Sequence, residues 1–235
     1  AATVFPGNAA KGLPTIYGVV SLFDDVTGDL NAILDFHLVT KWKTAGDSLL
    51  SASRLARKDA REFLLVGAGA VARSMVEAYS SVFPEARFTV WSRTRESAAA
   101  MGLPVADDLE TAVRKADVIC SATMATSPLI KGEWLQPGQH IDLIGAYKPG
   151  MREVDDRAMQ RARVFVDSRK TTIHHIGELM DPIASGAITE ADVVADFYDD
   201  PALYARRSED EITLAKNGGG AHLDLMTATY IADRW

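Results

Sequence analysis

Two stretches of this sequence carry residue types whose spacing suits chemistry. The first, Gly67-Ala68-Gly69-Ala70-Val71-Ala72, follows the apolar run Phe63-Leu64-Leu65-Val66. A glycine-x-glycine-x-x-alanine turn that leaves a strand and opens a helix points backbone amides and the helix N-terminus at a pyrophosphate. In that role Gly67 allows the tight turn, Gly69 lets phosphates approach the backbone, and Ala72 lets the helix pack closely on the strand. The pattern by itself is common; the strand before it and the helix after it are what single out a dinucleotide. The next strand ends at Val90-Trp91-Ser92-Arg93-Thr94, where NAD-binding units usually place an acid to hold the ribose hydroxyls. No acid stands there. Arg93 can pair with a 2′-phosphate and Ser92 or Thr94 can hydrogen-bond to it, so NADPH is the expected cofactor ahead of NADH or NAD. The second stretch is Gly218-Gly219-Gly220, which permits close approach of backbone and ligand, followed by Asp224 at the start of an apolar helix.

Other candidates read as structural. Cys120 sits in the apolar run Asp117-Val118-Ile119-Cys120 and is expected to be a buried thiol. His174 and His175 are adjacent, so on a helix they point apart, and no carboxylate-histidine spacing completes a tetrahedral site. No metal is expected. Asp24-Asp25 and Asp199-Asp200 lie in polar turn contexts and read as solvated loop acids.

The elements that must position these residues follow from periodicity. Apolar runs at Ile16–Phe23 and 30–34 flank the turn chemistry of Asp24-Asp25-Val26-Thr27-Gly28-Asp29, which predicts a hairpin. Helical spacing over 40–56, with Thr40 as cap, leads into alternating strands and helices. The strands are 62–66, 87–91, 118–122, 140–144 and 164–166; the helices are 70–83, 94–101 and 109–115. This order predicts right-handed βαβ units whose short apolar strands are buried on both faces of a parallel sheet. Ser208-Glu209-Asp210-Glu211 has the pattern of a capping box, and a further helix is expected from His222 onward. The fold class is therefore α/β, a Rossmann-type doubly wound parallel sheet (61–200) inserted in a second, discontinuous lobe built from 1–60 and 201–235.

Composition narrows the partners. The chain has 235 residues, 47% of them hydrophobic, enough for real cores. With 25 basic and 32 acidic residues and no long run of one sign, neither nucleic acid nor a membrane surface is an expected partner. A single cysteine and the lack of a run of about 20 apolar residues fit a soluble, cytoplasmic protein. Ala1-Ala2-Thr3-Val4-Phe5 enters a strand-like pattern without an initiator methionine, which leads us to expect a segment upstream.

Over nearly its whole length the chain resembles the ornithine cyclodeaminase and μ-crystallin family. The resemblance rests on Phe5-Pro6-Gly7-Asn8, Thr27-Gly28, Lys43-Thr44-Ala45 leading to Leu55-Ala56-Arg57, the phosphate loop and Trp91-Ser92-Arg93-Thr94. It continues through Ala116-Asp117-Val118-Ile119, Gly132-Glu133-Trp134, Gly145-Ala146, Val166-Asp167-Ser168 and Gly219-x-Ala221-x-x-Asp224-Leu225. It implies a nucleotide domain plus a second α/β lobe for substrate and dimerisation, hence a homodimer. Lys43 stands where the family arginine grips the substrate carboxylate, a form also found in chains resembling Δ1-pyrroline-2-carboxylate reductases. The change keeps the charge and loses the planar bidentate fork. Another family lysine that holds the carboxylate is expected just upstream of Ala1.

The resemblance further implies that Asp224 is the catalytic aspartate and that Lys43 holds the substrate carboxylate. Thr44, Ala70, Val71, Ala122, Thr123 and Gly145 join Gly67, Gly69, Ser92, Arg93 and Thr94 as cofactor contacts, and Asn217 stands where serine is usual. The expected activity is NADPH-dependent reduction of a small cyclic imino acid, Δ1-pyrroline-2-carboxylate or Δ1-piperideine-2-carboxylate, to proline or pipecolate. Two alternatives stay open: ornithine cyclodeamination with tightly held NAD, releasing ammonia, and non-catalytic NADPH binding of the μ-crystallin kind.

Overall fold

The computed structural model describes residues 1–14 and 16–235, with the side chains of Val4, Pro6, Ala9 and Ala10 excepted. Pro6 of the Phe5-Pro6-Gly7-Asn8 motif therefore falls outside the described side chains. The chain forms two compact units, one of residues 1–44 with 220–235 and one of residues 45–219.

In the first unit, strands β1 (Ala2–Val4), β2 (Ile16–Phe23) and β3 (Leu30–Asp35) form an antiparallel sheet in that order. The hairpin turn closes because Asp24 Oδ1 accepts the Val26 and Thr27 amides at 3.0 and 2.8 Å, while Gly28 takes φ 77°. Those fixed amide donors hold the Asp24 carboxyl below its ordinary pKa, which agrees with a turn acid. Helix α1 (Phe36–Leu55) starts four residues before the expected Thr40. Asp35 supplies the capping oxygen instead, accepting the Leu38 amide at 2.8 Å, so the helix begins directly on the end of β3.

The second unit is built on β4 (Glu62–Val66), β5 (Arg87–Trp91), β6 (Val118–Ser121), β7 (His140–Leu143), β8 (Arg163–Val166), β9 (Val193–Ala195) and β10 (Thr213–Lys216). They make one parallel sheet ordered β5-β4-β6-β7-β10-β8-β9. The expected α/β class and doubly wound sheet are therefore correct. β6, β7 and β10 are buried along their whole length, as central strands of a parallel sheet covered on both faces are, and they carry His140, Asp142, Thr213 and Lys216 into the interior with them. The chain leaves β4 first to β5 on one side and then to β6 on the other. That reversal opens a crevice at the carboxyl ends of β4 and β6.

Helix α2 (Ala70–Ser80) packs on the sheet through Ala72, Met75, Ala78 and Tyr79, and Ala72 is buried as its small size permits. Phe63, Tyr79, Phe83 and Phe88 form an aromatic cluster at that contact, with ring centroids 5.1 to 6.2 Å apart. Helices α3 (Arg95–Ala99) and α4 (Leu109–Lys115) follow β5; α5 (Asp156–Arg161), α6 (Arg169–Thr172) and α7 (Gly177–Ala184) flank β8; α8 (Ala221–Ala232) belongs to the first unit. The helix expected over 94–101 is the shorter α3, because the chain turns out at Gly102 with φ 72°.

The expected lobe boundaries at 60 and 201 shift to 44 and 220. β10 inserts between β7 and β8, so residues 201–219 are committed to the sheet. Residues 45–55 follow because Leu55 packs with Phe165, Ala195, Tyr204 and Ala215, and Ser51 bonds Tyr204 at 3.0 Å. The capping box at 208–211 opens no helix. Glu211 instead accepts the Arg207 amide at 2.8 Å and pairs with Arg163 at 2.7 Å, shaping the turn into β10.

Arg206 anchors this turn, donating to the carbonyls of Leu55 at 2.7 Å, Glu211 at 2.5 Å, Gly138 at 3.1 Å and Gln139 at 3.2 Å. Arg206→Ala orphans those carbonyls. We expect a loss of about 3 kcal/mol in urea unfolding, with Arg206→Lys recovering only part of it, since an ammonium cannot span the same fork.

Candidate active site

Each unit contributes its own group of candidate residues. In the sheet unit the crevice is a cleft of about 310 Å3 lined by Gly67, Ala68, Gly69, Trp91, Ser92, Arg93, Thr94 and the residues from Ala122 to Ala125. Gly67 is needed there twice over. Its φ is 108°, and a Cβ would sit 2.7 Å from the Ala122 carbonyl oxygen. A side chain at Gly69 would meet no atom within 4 Å, so the space over the start of α2 is open to a ligand. Gly69 is the N-cap of α2 without a side-chain cap, which leaves the first-turn amides available to an anion. The cleft thus has the cradle a pyrophosphate needs.

At the end of β5, Arg95 pairs with Asp107, whereas Arg93 is exposed and joins no ion pair among the described residues. A cationic side chain is therefore available at the position where an acid would hold a ribose. Ala70 and Val71 open α2 beside the cleft. Gly145 lies behind it: a Cβ there would overlap the Thr123 backbone.

In the other unit, Lys43 on α1 and Asp224 in the first turn of α8 are brought together across 181 residues of sequence. Lys43 Nζ donates to Asp224 Oδ1 at 2.6 Å, with the side chains 18% and 27% exposed. The two residues assigned to substrate are thus one half-buried ion pair. Asp224 also lines a cavity of about 310 Å3 with Ala1, Ala2, Phe36, Leu225 and the β2 segment from Val19 to Leu22. Thr44 follows Lys43 on the same helix, partly buried.

The candidates read as structural behave in three ways. Cys120 is buried, and burial pushes its thiol well above the ordinary range, which removes nucleophilic character. His174 is exposed, 3.7 Å from Glu190, and no group of three metal-ligating side chains occurs among the described residues. Asp199 is a partly exposed loop acid that also fastens its loop, pairing with Arg169 at 2.5 Å and accepting the Asp196 amide at 3.0 Å.

Periodicity missed a cluster of buried charges around Lys216. Its ammonium is fully buried and donates to the Leu143 carbonyl at 2.9 Å; burial lowers its pKa, and Glu153, Glu178, Asp167 and Asp47 oppose that. Glu178 accepts the Glu153 and Val154 amides at 2.7 and 3.1 Å. Burial, and then the neighbouring Glu153, push its pKa up to about 7. Burial likewise raises Asp167, which accepts the Ser168 amide at 2.7 Å and the Gly219 amide at 2.8 Å. Asp47 is raised well above the usual range by burial and by Asp167, and neither of its oxygens is hydrogen-bonded. The family signs Val166-Asp167-Ser168 and Gly219 are therefore one structural device. Their only signal in sequence was acids sitting in otherwise apolar surroundings.

The model of the ornithine cyclodeaminase/mu-crystallin family matches residues 1–235. The chain belongs to this family. It is 55% identical to the Δ1-pyrroline-2-carboxylate reductase of Paracoccus denitrificans over 98% of this chain and 77% of that protein. It is 31% identical to the ketimine reductase mu-crystallin of Mus musculus over 99% of this chain and 74% of that one. A structure of Thermococcus litoralis Δ1-pyrroline-2-carboxylate reductase with NADH and L-proline superimposes with a TM-score of 0.87, 27% identity, and coverage of 99% and 76%. Among the described residues no helix is long and apolar enough to cross a membrane.

Glu178 is protonated in the fold at pH values where it ionises in the unfolded chain. Its contribution to stability is full below about pH 4.5 and is lost as pH rises through about 7. The stability of wild type relative to Glu178→Gln, measured by urea unfolding, should therefore shrink steadily from pH 5 to pH 8. A difference that grows over that range contradicts the assignment.

Proposed function

We propose that this chain is an NADPH-dependent reductase of a small cyclic imino acid, Δ1-pyrroline-2-carboxylate or Δ1-piperideine-2-carboxylate, giving proline or pipecolate. The observation that carries this reading is the Lys43–Asp224 pair at 2.6 Å. A protonated cyclic imino acid is a compact zwitterion whose carboxylate and iminium N–H lie on adjacent atoms. A cation and an anion in contact are its electrostatic complement. The reductase named among the relatives at 55% identity, and the bound proline named in the Thermococcus litoralis structure, point to the same ligand class.

In this reading Lys43 keeps a second ammonium donor for the ligand carboxylate while one donor stays on Asp224. Asp224 accepts the N–H of the imine and keeps it protonated, because the cationic C=N carbon accepts hydride far more readily than the neutral one. The reduced nicotinamide supplies that hydride, held by the phosphate loop with Arg93, Ser92 and Thr94 around a 2′-phosphate. Two electrons and one hydrogen reach the ring carbon, the C=N double bond becomes a C–N single bond, and the N–H proton stays on the product amine. Tyr17, Val19 and Phe23 alternate along β2 with Ile33 on β3 as an exposed apolar face, which supports a second copy of the chain as partner.

Two measurements check this assignment. With Δ1-pyrroline-2-carboxylate as substrate, NADPH oxidation should exceed NADH oxidation, and Arg93→Ala should raise the NADPH KM roughly tenfold or more while leaving the NADH KM nearly unchanged. Equal turnover with NADH in the wild type would overturn the cofactor choice. Asp224→Asn should lower kcat/KM for the imine on the order of 100-fold, with the deficit widening as pH rises and the free imine loses its proton. Unimpaired Asp224→Asn would remove Asp224 from the chemistry.

A further inference from the structure

Glu153 is fully buried, and no family motif singled it out. It lies just before α5, yet its carboxylate holds two other loops. Oε1 accepts the Ser121 hydroxyl at 2.6 Å and both the Thr123 amide and hydroxyl at 2.8 Å. Oε2 accepts the Gly145 amide at 2.7 Å and the Ala146 amide at 3.3 Å. One side chain thus fastens the loop after β6 to the loop after β7. The first of these is the wall of the cleft, since Ala122, Thr123, Met124 and Ala125 line it. Gly145 lets the loops approach: a Cβ would overlap the Thr123 backbone and come within 2.7 Å of Glu153 Oε1.

Glu153 is itself held from three directions. Its amide donates to Glu178 Oε2 at 2.7 Å, and its carbonyl accepts the Leu129 and Ile130 amides at 2.9 and 3.0 Å. Lys216, from β10, supplies the buried positive charge. The carboxylate has no polar atom toward the solvent, and every partner it has belongs to backbone or to a short hydroxyl side chain. A carboxylate with two oxygens each facing several N–H or O–H donors cannot be replaced by an amide, whose NH2 would oppose donors on one side.

We propose that Glu153 is a positioning residue for cofactor binding: it sets the 121–123 and 145–146 loops so that the cleft wall fits a nicotinamide dinucleotide. The inference rests on the reading that this cleft takes the cofactor. Glu153 does not line the cleft. It acts through Thr123 and Gly145.

The test is Glu153→Gln in the full chain, with the Kd for NADPH read by fluorescence titration, the KM of the imino acid at saturating NADPH, and the thermal midpoint. We expect the Kd to rise roughly tenfold or more, with the imino acid KM within about twofold of wild type. Ser121→Ala removes a single donor to Oε1 and should raise the Kd by a smaller factor in the same direction; it serves in place of Glu153→Gln should that variant not fold. Val113→Ala, on the buried face of α4 and outside these loops, serves as a destabilised control matched by its thermal midpoint. Loss of NADPH affinity in the Glu153 or Ser121 variants and not in Val113→Ala supports the proposal. A folded Glu153→Gln with unchanged Kd, an equal loss in Val113→Ala, or an imino acid KM that rises in place of the Kd overturns it. A wild-type chain that binds no dinucleotide removes the underlying reading instead, so the two failures are distinguishable.

Discussion

Lys216 ends β10 with its ammonium out of contact with water and bonded to the Leu143 carbonyl, and the charges of Glu153, Glu178, Asp167 and Asp47 favour its protonated form. An unpaired ammonium in that place would be prohibitively desolvated, and so would a group of buried acids without it. Three of the acids near it hold loops: Glu153 holds 121–123 and 145–146, Glu178 the Glu153 backbone, and Asp167 the Ser168 and Gly219 amides. The carboxyl edge of the sheet, where the cleft lies, is therefore organised around one positive charge. β10 can deliver that charge only because it sits between β7 and β8.

The remaining functional residues divide by the kind of structure that holds them. The cleft residues are backbone turns at strand ends, and their geometry follows from strand order and from glycines that tolerate close approach. Lys43 and Asp224 are side chains on two helices far apart in sequence, and each is defined by the other. That Lys43 is a lysine and not an arginine matters for the proposed role. A compact ammonium can give one donor to Asp224 and retain others, whereas a planar fork satisfied by one carboxylate has fewer directions left for a second.

Much of the fold was legible because its signals are local. The strand Glu62–Val66, the turn at Gly67, the helix from Ala70 and the hairpin around Asp24 each follow from a pattern a few residues long. The placement of β10 was not legible. Thr213-Leu214-Ala215-Lys216 is too short for periodicity, ends in a charge, and pairs with strands some 50 and 73 residues earlier in the chain. Without that strand the sequence places the lobe boundary at 201, whereas the compact units divide at 220, with residues 45–55 in the sheet unit.

The sequence by itself singled out residues that could cradle a pyrophosphate, an arginine where an acid often holds the ribose, and Lys43 and Asp224 as candidate site residues by resemblance. These depend on residue type and short spacing, which a linear string preserves. Only the tertiary structure decided that Lys43 and Asp224 are ion-paired, and that the charges of Glu153, Glu178, Asp167 and Asp47 act on one buried lysine. A buried charge is tolerated only where opposite charge and donors converge on it, and that convergence comes from strands and helices distant in sequence.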